Sequence, residues 1–141
     1  MSSWFPYAVV AALLYGLHQI FTKLAANRIG AGLGGLVLEV TAAVTILGYV
    51  VFWQLGTGRS QPFSRAGLAW SAAAGLCVGV GTIAFFLLFQ RGGPLSAVPG
   101  ILAGGVAFVA LVGLLGFHEP PSAIRLAGVV LSVAGLWLLR K

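Results

Sequence analysis

Residues 67–89 read GLAWSAAAGLCVGVGTIAFFLLF, an unbroken apolar run with no charged side chain. A helix needs about 20 such residues to cross the hydrocarbon core of a bilayer. Four further stretches are of the same kind, at residues 4–26, 33–55, 95–117 and 123–139. Between them lie NRIGAG, GTGRSQPFSRA, QRGGP and HEPPS, short joints rich in glycine, proline or charge. Joints this short hold no inserted soluble domain and make consecutive helices antiparallel neighbours.

Only 7% of the residues are charged and 60% are hydrophobic. A water-facing domain carries about 25% charged residues. The chain therefore reads as an all-α integral membrane protein with five transmembrane helices, one membrane domain over residues 1–141. A membrane barrel would alternate apolar and polar residues over about 10 positions; these runs do not alternate. MSSWFPYAVV lacks a basic n-region, so it reads as the start of a span anchored by Trp4 and Tyr7 rather than as a cleaved signal.

Formal charge is +6, but the basic residues stand at span ends, where snorkelling and topology account for them. Nucleic acid is not an expected partner. Lys23, Arg28, Arg91, Arg140 and Lys141 fall on one side of a five-span topology, and Arg59, Arg65 and Arg125 on the other. Five against three places the C-terminus in the cytoplasm by a narrow margin. Insertion in both orientations is compatible with so small a bias.

The first span carries YGLHQIFT, which puts Tyr15, His18, Gln19 and Thr22 on one helical stripe. Two readings are open: the wall of a substrate cavity, or hydrogen-bonding glue between helices. Glu39 lies about 10 Å into the second span. Facing lipid at the helix centre, its charge would cost on the order of 3 kcal/mol. A cavity, or a partner such as His18 or Lys23, is the expected surrounding. Its readings are a proton-coupling or cation-binding site, a structural ion pair, or a position near the interface.

Pro99 and Gly100 stand within the fourth stretch, where proline removes a backbone bond; they are candidates for a hinge or for a tolerated kink. Ser71, Gly75 and Gly79 form one file of small residues, and Gly100, Ala103, Gly104 and Ala107 another. Gly128, Ser132 and Gly135 form a third in the last span, suited to close contact with another helix. Cys77 is the only cysteine, so no intrachain disulfide or metal-ligand spacing exists. No metal or cofactor is expected, and no catalytic triad or phosphate loop marks an enzyme.

The stretch FFLLFQRGGPLSAVPGILAGGVAFVALVGLLGFHEPPSAIRLAGVVLSVAGLWLLRK resembles the C-terminal part of an EamA-type repeat of the drug/metabolite transporter superfamily. The helix ending in LFQRGGPLSAV, the proline-containing fourth helix, Glu119 after it and the glycine-spaced last helix carry the resemblance. LLYGLHQIFTKLA is similar to the family's first helix, with Lys23 at its basic end. His118 departs from the glycine common before the acidic residue, with Gly116 two positions earlier. The resemblance implies a five-helix half-transporter repeat in a prokaryotic inner membrane, paired with an inverted copy or a paralogue around a substrate cavity. The expectation is a secondary transporter of a small metabolite, drug or lipid-linked molecule, working as an antiparallel homodimer or a heterodimer. The alternative is a non-transporting membrane subunit that stabilises or regulates a larger transport complex. In the related small multidrug resistance family the intramembrane carboxylate lies in the first helix, whereas Glu39 lies in the second, so those exporters' substrates do not carry over.

Overall fold

The computed structural model describes residues 4–117 and 122–139. It is helical throughout, with no strand among the described residues: α1 (Phe5–Ala26), α2 (Ala31–Thr57), α3 (Arg65–Gln90), a 3-10 turn (Leu95–Ala97), α4 (Val98–Leu115) and α5 (Ala123–Leu139). Four segments are long and apolar enough to cross a membrane: α1, α2, α3 and Leu95–Leu115. The chain is thus a multi-pass membrane protein. The expected fifth span is a shorter helix. Seventeen residues in α5 rise about 25 Å, short of the roughly 30 Å hydrocarbon core.

Local chemistry sets the helix ends. Pro6 occupies the first turn of α1, where its missing N–H leaves no bond unmade. The last turn of α1 carries Lys23, favourably placed against the helix dipole. Gly58 ends α2 in the left-handed region, at φ 63°, with its N–H bonded to the Gln54 carbonyl. Ser64 caps α3, its hydroxyl accepting from the Gly67 N–H at 2.9 Å.

The chain forms two compact units, one ending at Gly92 and one beginning at Gly93. In the first unit the buried positions gather where α1 ends, α2 begins and α3 ends. They are Gln19, Thr22 and Ala26 on α1, Gly34 and Gly35 on α2, and Thr82, Phe86 and Phe89 on α3. The N-terminal half of α3 and the C-terminal half of α2 are exposed almost without exception. Exposed apolar side chains such as Leu47, Phe52, Trp70 and Leu76 suit a lipid environment, which imposes no hydrophobic penalty on them.

In the second unit α4 and α5 pack as a hairpin. Ala103, Ala107, Ala110 and Leu114 are half-buried along one face of α4. Pro99 does not interrupt a helix. It stands in the first turn of α4, after the 3-10 turn, where the absent N–H would be unpaired in any residue. The break expected of it within a continuous span is therefore missing, and the Pro99-Gly100 hinge loses that basis. Gly100 is buried.

Candidate functional site

The stripe on α1 divides in space. Tyr15 is 68% exposed, with its ring edge-on to His18 at 6.3 Å between centroids. His18 is half-buried, while Gln19 and Thr22 are buried. Tyr15 and His18 lie on one recess along α1, together with Pro6, Val10 and Leu14. His18 and Thr22 also line a groove between α1 and α2 of about 790 Å³, floored by Phe86 of α3. Gln19 lines neither.

The groove exists because α1 and α2 meet closely only near their turn. Gln90 holds that turn: its side-chain amide donates to the carbonyls of Ala26 at 2.9 Å and Ile29 at 2.8 Å. Gly34 then lets α2 approach α3. A Cβ built there would overlap the Phe86 ring, with Cζ at 2.7 Å and the Ile29 methyl at 3.0 Å. Beyond these contacts the two helices are separated by the groove, walled by Leu14, Leu17 and Phe21 on one side and Val37, Leu38 and Ile46 on the other.

Glu39 does not join the α1 stripe. Its Oε1 accepts a 2.7 Å hydrogen bond from the Thr82 hydroxyl, 43 residues later in the chain and on α3. Thr82 is buried and Glu39 is half-buried. The partner is a neutral donor rather than His18 or Lys23, because the α2 face bearing Glu39 is turned to α3. Lys23 places its Nζ 5.1 Å from the centroid of the Phe89 ring, a cation–π contact.

No family model, curated protein or solved structure matches the chain. The site must therefore be read from its own chemistry. Among the described residues, two side-chain polar atoms are buried without a hydrogen-bond partner: His18 Nδ1 and Gln19 Oε1. Thr22 donates to the His18 carbonyl at 2.9 Å, Thr41 to the Val37 carbonyl at 2.8 Å, and Thr45 to the Thr41 carbonyl at 2.9 Å. Each of these bonds stays within one helix, so the stripe is not fastened to a neighbouring helix by them. Interhelical side-chain bonding is carried instead by Thr82–Glu39, and Gln90 ties the turn.

Sequence reasoning missed Thr41, Thr45, Thr82 and Gln90. The threonines recur at i and i+4 in α2, a signal that was present; Thr82 and Gln90 act across more than 40 residues, which no local pattern encodes. No cluster of three metal-ligating side chains occurs among the described residues. His118 and Glu119 lie outside the described residues, as does the Ser132 side chain. Elsewhere in that file, a Cβ added at Gly128 or Gly135 meets nothing within 4 Å.

Proposed function

We propose that the protein is a secondary transporter of a small molecule in a prokaryotic inner membrane, working as one five-helix half of an antiparallel dimer. The groove between α1 and α2, bearing His18 and Thr22, supports this reading most directly. Cavities of this kind, completed by an inverted partner repeat, are exposed alternately to the two sides of a membrane. In this scheme His18 and Thr22 contribute to the substrate wall, and Tyr15 to the recess along α1 that shares His18. Glu39, linked to α3 through Thr82, exchanges protons and couples that exchange to movement of α2 against α3. The fifth crossing is made by α5, whose 17 residues span a locally thinned bilayer. Gly128, Ser132 and Gly135 supply the contact between last helices.

Reconstitution of the purified chain into liposomes tests the proposal. Solute flux by this protein alone, lost in Glu39→Gln, is the expected result. Flux that requires a second membrane protein would replace the homodimer with a heterodimer. No flux, together with stabilisation of another transporter, would favour the regulatory-subunit reading.

A further inference from the structure

The three threonines of the α1–α2 groove share one chemical property. Thr22, Thr41 and Thr45 each donate their single hydroxyl proton to a carbonyl of their own helix. A hydroxyl has one proton and two lone pairs, so the capacity left to these three is to accept. His18 is the only titratable side chain among the groove's lining residues, and its Nδ1 has no protein partner. A neutral imidazole offers one accepting nitrogen and one N–H donor. The remaining lining residues are apolar, among them Leu14, Phe21, Val37 and Ile46, with neither carboxylate nor fixed cation.

We infer that this groove binds a neutral amphiphile: an apolar body carrying a hydroxyl that donates a hydrogen bond to the threonine oxygens. The inference rests on the groove being the substrate wall. Complementarity decides the class. A phosphate or carboxylate would need several donors; the threonines have already committed theirs, which leaves at most the one N–H of a neutral His18. A cation would enter an apolar groove without a counter-charge, because Glu39 faces α3 and is not among the lining residues; burying an unpaired charge is far costlier than burying a bonded hydroxyl. A wholly apolar molecule would leave the acceptors unanswered. The groove's apolar walls suit such an amphiphile, which concentrates in the bilayer.

A chain-matched series tests the assignment on the full protein in nanodiscs. A photoactivatable dodecanol carrying an alkyl diazirine is crosslinked, and the labelled peptides are mapped by mass spectrometry. Labelling should fall within residues 14–25 and 37–46. Unlabelled dodecanol should compete better than dodecane, dodecylamine or dodecanoate. Thr41→Val and Thr45→Val together should weaken competition by dodecanol about fivefold or more, the value of one or two hydrogen bonds, and leave competition by dodecane unchanged. Thr57→Val is the control, since its hydroxyl also bonds a carbonyl of its own helix, that of Trp53, but lies outside the groove. Equal competition by dodecane would reduce the groove to a lipid-filled crevice. Preference for the amine would make it a cation site, and labelling elsewhere or nowhere would remove it as a binding site. Each of these results overturns the inference. Binding is read without flux, so a protein that binds dodecanol but moves no solute keeps this inference and loses the transporter. One that moves another solute without groove labelling does the reverse.

Discussion

The Thr82 hydroxyl and the Glu39 carboxylate meet at 2.7 Å across the α2–α3 interface. This bond gives a carboxylate within an apolar helix a specific donor, and it links the position of α3 to the state of α2. It also separates two roles that the sequence places close together, since Glu39 serves the α2–α3 contact while His18 serves the α1–α2 groove.

Thr82→Val keeps the shape of Thr82 and removes the donor. A hydrogen bond to a charged group is worth about 1.5–3 kcal/mol in water-soluble proteins, but side-chain bonds between membrane helices average about 0.6. Thr82→Val should destabilise the protein by about 1 kcal/mol in a denaturation titration. Glu39→Gln retains an accepting oxygen and should cost less. A double-mutant cycle showing no coupling between the two positions would remove the bond from the stability of the fold.

Gly34→Ala should be markedly destabilising, by about 1–3 kcal/mol, because its methyl would press on the Phe86 ring. Gly48, also in α2, has nothing within 4 Å of an added Cβ. Gly48→Ala should be neutral or stabilising by up to about 1 kcal/mol through helix propensity. Combining Gly34→Ala with Phe86→Leu should recover part of the loss. Thermal unfolding of the three variants in detergent checks the contrast.

Gln90→Glu replaces the double donor to Ala26 and Ile29 with acceptors aimed at carbonyl oxygens. The turn should loosen, with faster amide exchange at residues 27–30 than in Gln90→Leu, which removes the bonds without adding repulsion. Equal protection in all three proteins would show that the turn holds without Gln90.

Gln19 is 7% exposed and its Oε1 has no partner. If Gln19 were glue between helices, Gln19→Leu would cost stability. With an unsatisfied buried oxygen removed, Gln19→Leu should instead be neutral or raise the unfolding midpoint. His18→Ala should reduce ligand binding more than it reduces yield.

Assembly is tested by labelling. In a Cys77→Ala background, a cysteine added at the C-terminus should react from both faces of the membrane if the chain inserts in two orientations. Two or three lysines added there should trap one orientation and abolish flux, with rescue by a copy biased the other way. Labelling from a single face, in a protein active as a monomer, would overturn the antiparallel dimer.

Sequence alone determined the helical membrane class, and with it the helix limits to within three residues. In lipid only helices and closed barrels satisfy the backbone's hydrogen bonds, long apolar runs lack the alternation of barrel strands, and glycine, proline and charge punctuate those runs locally. Glu39, His18, Gln19 and Thr22 were visible as polar residues in apolar surroundings, since that contrast is also local. Their sorting was not. Helical spacing predicts one stripe for Tyr15, His18, Gln19 and Thr22, yet adjacent residues point about 100° apart, so Gln19 and His18 face different surroundings. Which neighbour each meets depended on α2 closing on α3 at Gly34 and Phe86 and on Gln90 fixing the turn. Those contacts join residues far apart in the chain, and only the tertiary structure could set them.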